Sequence, residues 1–278
     1  MKQKWWKAAS VCLMMSLAGL CLTNCGSDDN GEPGNELPTT PKTPEMPQVN
    51  EFAQTIVKDM VMVTPGTFLM GSPDTDADAL PYEKPQHEVT ITRHYLIGIY
   101  EVTQQMYEDV MGEKPTPYHG PTRPLIWMSY DDIQEFLAKL NEKAGVQFRL
   151  PTEEEWEFAA RGGQNSTWKY AGSNDVNEVA WYNGNSEGRS HSIEETLAAA
   201  KKPNALGIYN MSGNVEEWTS TTWKRNYEPT TVETANSYAV RGGTFAHGET
   251  DSRVSQRHPH KHDEKWADLG LRLALSLE

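Results

Sequence analysis

Apolar residues along this chain fall in short runs broken by turn formers, not in long stripes. Residues 60–70 (MVMVTPGTFLM) hold two runs around Pro65-Gly66, which predicts two short strands about a turn. Residues 87–102 (HEVTITRHYLIGIYEV) are β-branched and aromatic and alternate in part, so they predict strand. Helical spacing is confined to a few stretches. Thr103 caps 104–111, which Gly112 ends. Ser129 caps 130–143, with Ile133, Phe136, Leu137 and Leu140 on one face and Gly145 as the stop. Thr152 caps a helix that opens on Glu153, Glu154 and Glu155, buries Trp156, Ala159 and Ala160, and ends at Gly162-Gly163. Those glutamates are read as dipole-facing acids turned to solvent, not as acid/base groups. Residues 193–202 are alanine-rich and predict a short helix in an insertion. Residues 238–245 (YAVRGGTF) predict a strand broken at Gly242-Gly243, and 270–275 a last strand. Residues 71–83, 115–124, 165–192 and 221–237 have no period and are read as loops. The pattern predicts a compact α+β domain over 52–278, with short strands, few helices and much irregular loop.

The chain before that domain has a different character. Residues 1–24 carry Lys2, Lys4 and Lys7, then a mostly apolar segment too short for a confident membrane span. Leu22-Thr23-Asn24-Cys25 resembles a bacterial lipobox, with Asn24 an imperfect match, so 1–24 is expected to be a lipoprotein signal peptide and Cys25 the lipidated residue. Residues 25–51 are Pro-rich and polar and are expected to form a disordered tether. Asp28-Asp29 resembles an acidic export tag, so an outer-membrane lipoprotein, with surface exposure as one option, is the expected location.

Composition narrows the chemistry. The formal charge is -14, which argues against nucleic acid, because phosphate binding needs basic surface. The three cysteines are Cys12, Cys21 and Cys25, so the body has no disulfide, thiolate nucleophile or Cys-based metal site. Residues 202–220 (KPNALGIYNMSGNVEEWTS) hold two tight turns, with Leu206, Ile208, Tyr209, Met211 and Trp218 as core anchors. Asn210, the carbonyls of Gly213 and Val215, and Glu217 make a row of hard oxygens. Two readings stay open for this loop: calcium, which takes six to eight oxygens, or a hydrogen-bonded turn with Glu217 paired to an arginine. His258, His260 and His262 alternate and, with His247, could hold zinc or copper(II), but Pro259 and the flanking charges favour an exposed polar loop. A triad of Ser252, His247 and Asp251 has no nucleophile-elbow pattern behind it.

Four motifs occur in a telling order: MVMVTPGTFLMGS, RLPTEEEWEFAARGG, PNALGIYNMSGNVEEW and RGGTF followed by LGLRL. Together they resemble the formylglycine-generating enzyme family, also called the sulfatase-modifying-factor family, over residues 57–276. The resemblance implies a fold related to the C-type lectins. It also implies one structural calcium on Asn210, Gly213, Val215 and Glu217. A second calcium site near 183–188 lacks its Asp-Gly run and is not carried over. Active members of the family hold copper on two cysteines, whose positions here are His247 and Ser252, while Arg253 and Arg257 match arginines that follow. A soft Cu(I) ion wants thiolates, so copper is not expected. The implied function is a non-catalytic binding or assembly module for a protein or glycan, anchored to a membrane by its lipid. The alternative is an oxidoreductase that modifies a protein side chain. The candidate ligand cleft is formed by Trp218, Phe245, Arg253 and Arg257.

Overall fold

The computed structural model describes residues 44–163 and 166–277. The signal segment, Cys25 and the tether up to residue 43 lie outside the described residues. The first described element is helix α1 (Glu51–Val57), capped by Asn50, whose side chain accepts from Ala53 N–H. Residues 50 and 51, read as tether, are therefore the cap and the first residue of that helix.

Pro65-Gly66 separates strands β1 (Met60–Val63) and β2 (Gly66–Met70) as the turn pair predicts. The apolar run of 87–102 is two strands, β3 (His87–Ile91) and β4 (Tyr95–Gly98). They separate because β3 pairs with β2 in a hairpin while β4 enters a different sheet. Caps fix the helices. Thr103 and Gly112 bound α2 (Gln104–Met111), and Ser129 and Gly145 bound α3 (Tyr130–Ala144). Both glycines sit at positive φ, where a left-handed stop favours Gly. A capping box of Thr152 and Glu155 opens α4 (Glu153–Ala160) after the short β5 (Phe148–Arg149). Helices α5 (Val176–Val179) and α6 (Ile193–Ala198) punctuate the long loop that follows.

Strands β6 (Glu216–Lys224) and β7 (Glu233–Arg241) run through most of 221–237, which has no apolar pattern. Their distal halves are mostly exposed, with Trp223 as the buried exception beneath Arg257, so hydrophobic patterning missed them. Residues 257–261 form β8, pairing with β7, where an irregular loop was expected. The last predicted strand is two: β9 (Leu269–Leu271) runs parallel to β6, and β10 (Ala274–Ser276) pairs with β4 and β5. The chain changes sheet at Arg272, which is fully buried.

The result is two four-stranded sheets, ordered β1-β4-β10-β5 and β8-β7-β6-β9, with the β2-β3 hairpin beside them. One core joins α1 and α3 to both sheets through Phe136, Leu140, Phe148, Trp218 and Leu271. A second gathers Phe68, Trp156, Phe158, Ile208 and Met211. This is the α+β architecture with short strands that the sequence predicts.

Candidate functional site

Four arginines are no more than 1% exposed: Arg241, Arg253, Arg257 and Arg272. Each meets a glutamate distant in sequence. Arg241 reaches Glu157 at 2.5 Å, and Arg161 shares that carboxylate at 2.7 Å. Arg253 grips Glu83 with two bonds of 2.6 and 2.7 Å, and Arg257 grips Glu153 with two of 2.6 Å. Arg272 holds Glu217 at 2.6 Å. These pairs correct two expectations. Glu153 is not a solvent-facing helix acid, because arginines of β7 and β8 close over the first turns of α4. Arg253 and Arg257 do not share a cleft with Phe245: bidentate pairing holds both inside, and Arg253 borders a separate cavity of about 520 Å³ with Trp168 and Lys169. Trp218 is not a cleft contact either. It is 0% exposed, and its Nε1–H donates to Met128 O at 3.0 Å.

The 210–217 loop lies against this frame. Asn210 and Asn214 take φ of 58° and 65°, and Gly213 takes 78°. A Cβ on Gly213 would come within 2.3 Å of Trp181 O, so only glycine fits. Glu217 already has partners: Arg272, and Trp156 Nε1–H at 2.6 Å. Among the described buried carboxylates, Glu101 has no basic side chain bonded to it, and the sequence reading did not single it out. It is 5% exposed and accepts from Asn210 Nδ2 at 3.1 Å and Asn214 Nδ2 at 2.9 Å. Burial raises its pKa; Arg272 opposes the shift and the Glu217 charge adds to it. Asn210 Oδ1 is buried and accepts no hydrogen bond. The loop thus shows Glu217 paired to an arginine, one of the two readings left open, and leaves Asn210 Oδ1 as an unpartnered hard oxygen near the buried Glu101.

His247 and Ser252 do not form a reactive pair. His247 is exposed on a loop. Ser252 ends the 3-10 turn Glu249–Ser252, is 0% exposed, and its buried hydroxyl finds no partner. An exposed imidazole and a sealed hydroxyl cannot replace two thiolates around copper. The alternating histidines also differ from expectation. His258 Nδ1 lies 2.7 Å from buried Glu216, and His260 Nε2 lies 3.6 Å from the same carboxylate. Glu216 is held down at about 2 despite its burial, by hydrogen bonds from His258 and His260 and by their charges. Burial lowers both histidine pKa values, but pairing with Glu216 outweighs it and raises them. His262 instead meets exposed Asp131 at 2.7 Å. Among the described residues no cluster of His, Cys, Asp and Glu is arranged to hold a metal ion.

Phe245 faces a different cavity from the one that Arg253 borders. It lines a groove of about 730 Å³ with Pro117, Ile126, Trp127, Arg123 and Arg189 among its walls. Trp127 is 44% exposed and sits at φ 66°. A bulky residue held left-handed costs about 1–3 kcal/mol and persists only where its surroundings enforce it. Here its N–H donates to Trp266 O at 3.1 Å. Asn214 ties the groove to the 210–217 loop. Its backbone O accepts from Phe245 N–H at 2.8 Å, and its Oδ1 accepts from His191 N–H at 2.8 Å, beside the wall residue Ser190.

The motifs thus supply the frame: RGG gives Arg241, LGLRL gives Arg272, and PTEEEWEFAARGG gives Glu153 and Glu157. A family model of the sulfatase-modifying factor enzyme 1-like domain matches residues 45–277. The chain belongs to that family. Chaperone protein LppX of Paenibacillus barcinonensis is 31% identical, over 80% of this chain and 91% of that protein. Formylglycine-generating enzyme of Thermomonospora curvata is 24% identical, over 80% of this chain and 94% of that protein. Among solved structures, PvdO from Pseudomonas aeruginosa superposes with a TM-score of 0.70 at 26% identity, covering 85% of this chain and all of PvdO.

For this family member, sequence reasoning missed Glu101, Asn214 and the basic side of the groove. Glu101 lies in the run YEVT, where a lone acid after a strand carries no local signal. Arg123 and Arg189 stand in loops, 66 residues apart, and only the fold brings them to one cavity.

Proposed function

We propose that this protein is a non-catalytic binding or assembly module of the sulfatase-modifying factor family, which presents the groove at Phe245 to a protein or glycan ligand. One observation carries the reading: the two positions that would hold copper are an exposed His247 and a fully buried Ser252. No cysteine follows Cys25 to replace them. Relatedness to a protein named as a chaperone supports a role in binding. Relatedness to a formylglycine-generating enzyme supports the competing oxidase reading. One assay decides between them. Purified protein is incubated with copper, oxygen and a sulfatase-motif cysteine peptide, and the peptide is weighed by mass spectrometry. The expected result is no aldehyde; robust turnover lost in His247→Ala would establish the oxidase instead.

The proposal places the protein in a bacterial cell envelope, attached to the outer membrane through a lipidated Cys25 after removal of 1–24. Two acyl chains give the stable anchor that one chain cannot. Among the described residues no helix is long and apolar enough to cross a membrane. Cys25→Ala is expected to shift the protein from the membrane to the soluble fraction while its circular dichroism stays unchanged.

Calcium completes the proposal as a structural ion. Asn210, the Gly213 and Val215 carbonyls and Glu217 would hold it, with Glu101 alongside. Bound there, the ion supplies positive charge to an interior that holds two carboxylates against Arg272. The chain's own residues do the rest: Glu101 would stand beside the ion, Asn210 would offer its unpartnered Oδ1, and Asn214 is fixed between the loop and the groove.

A further inference from the structure

We infer that the groove at Trp127 recognises an anionic saccharide, through an indole platform and two fixed guanidinium groups. The inference rests on the binding-module reading and names its ligand class.

Three observations carry it. The first is the construction of the cavity. None of the residues lining it belongs to a helix or a strand, so it offers no sheet edge for an extended peptide to join. Peptide grooves draw affinity from such edges or from apolar channels along helices. A cavity walled by loops instead suits a compact ligand recognised by its ring faces and polar rim.

The second is the indole. Trp127 lines this groove and also a neighbouring cavity of about 180 Å³, so its ring forms the ridge between two hollows. Its positive φ is an enforced conformation that keeps a large aromatic 44% exposed. Trp266, its backbone partner, is 49% exposed, and the next residue, Ala267, lines the groove. A pyranose has an apolar C–H face that stacks on such a ring while its hydroxyls reach polar neighbours.

The third is charge. The titratable side chains lining the groove are His119, Arg123 and Arg189, and none is acidic, although the chain carries a net charge of -14. Glu195, which does not line the groove and is 34% exposed, holds both guanidinium groups, at 3.1 Å from Arg123 and 2.9 Å from Arg189. Arg123 also donates to Ser190 O, and Arg189 meets the exposed Glu187 at 3.3 Å. One carboxylate thus fixes two arginine forks, and Arg189 keeps 42% of its side chain exposed. A fixed guanidinium beside an apolar face fits a carboxylate carried on a sugar ring.

The test uses the intact protein lacking only its lipid, titrated with α-1,4-trigalacturonate, its methyl ester and a hyaluronan tetrasaccharide. Calorimetry and tryptophan fluorescence are read at low and physiological salt. Binding of at least one acid saccharide is expected, with fluorescence change, at least tenfold tighter than the ester. Trp127→Gly, which relieves the backbone and removes the platform, is expected to weaken binding more than tenfold without lowering the melting temperature. Arg189→Gln is expected to remove most of the preference for acid over ester. No binding of either acid saccharide at millimolar concentration, equal binding of the ester, or an unchanged Trp127→Gly variant would overturn the inference. Binding of reduced carboxymethylated α-lactalbumin at Trp127 without saccharide binding sinks the saccharide and leaves the module reading standing. Aldehyde formation in the peptide assay sinks the module reading itself.

Discussion

The buried frame and the groove use arginine in opposite ways. In the frame, Arg241, Arg253, Arg257 and Arg272 have lost water altogether, and each is held by a carboxylate or a set of carbonyls. In the groove, Arg123 and Arg189 share one carboxylate, and their side chains stay 19% and 42% exposed. Burial decides the role. A desolvated ion pair specifies one arrangement of distant segments, and breaking it strands a charge in a dry interior. A half-wet guanidinium contributes little to stability and remains free to meet a ligand. The motifs that reveal the family therefore mark mostly buried positions, and of the groove's walls Phe245 alone belongs to one of them, RGGTF.

The largest effect should come from the frame. Arg257→Met leaves Glu153 buried without its partner and is expected to cost about 3–5 kcal/mol, read as a collapse of the denaturant midpoint. The double variant Arg257→Met with Glu153→Gln should recover much of that loss. Failure to recover would mean that Arg257 acts through its stacking on Trp223 and Tyr227, at 4.2 and 4.3 Å.

Calcium removal ranks next. Excess chelator should lower the melting temperature, and calcium at about one hundred times its dissociation constant should restore about 3 kcal/mol. The loss should be larger at pH 7.5 than at pH 5. The Glu101 pKa is raised above 4.5, so without a cation its ionisation opposes the fold as pH rises through that value. Glu101→Gln should flatten this pH dependence. A chelator that changes nothing at either pH would remove the ion from the account.

The Glu216–His258–His260 cluster sharpens the comparison from a third position, buried but titratable. Glu216 is held at about 2 against an ordinary 4.5, so its contribution is complete above 4.5 and is lost as pH falls toward 2. The two histidines are raised above 6.5, so theirs is complete below 6.5 and is lost as pH rises through the raised values. Stability from this cluster should peak between about 4.5 and 6.5. His258→Gln, read by urea melts across pH, should lower the plateau and shift its alkaline edge. An unchanged pH profile would show that the contacts are energetically silent.

The smallest effect belongs to the groove. Arg189→Ala should change stability by no more than about 0.5 kcal/mol, because the side chain is partly exposed and Arg123 continues to hold Glu195. A loss several times larger would make the groove part of the frame and dissolve the contrast.

Local chemistry was legible wherever one residue acts on its immediate neighbours. Caps at Thr103, Ser129 and Thr152 and stops at Gly112 and Gly145 were readable because a cap is satisfied within one turn. The anchors Ile208, Met211 and Trp218 were readable because large apolar groups leave water wherever the fold allows. The same reasoning failed at Glu153, at residues 258–260 and at Arg253 and Arg257, since an acid or base looks solvated until a partner arrives from elsewhere in the chain. Glu83 and Arg253 stand 170 residues apart, and no local pattern connects them. By itself the sequence determined the limits of α2, α3 and the start of α4, several strands, the class of fold and, through the order of its motifs, the family. Only the tertiary structure decided which charges are buried in pairs, which aromatics remain at the surface, and where the groove opens. Propensity and capping are settled over a few residues, whereas desolvation of a charge depends on everything packed around it.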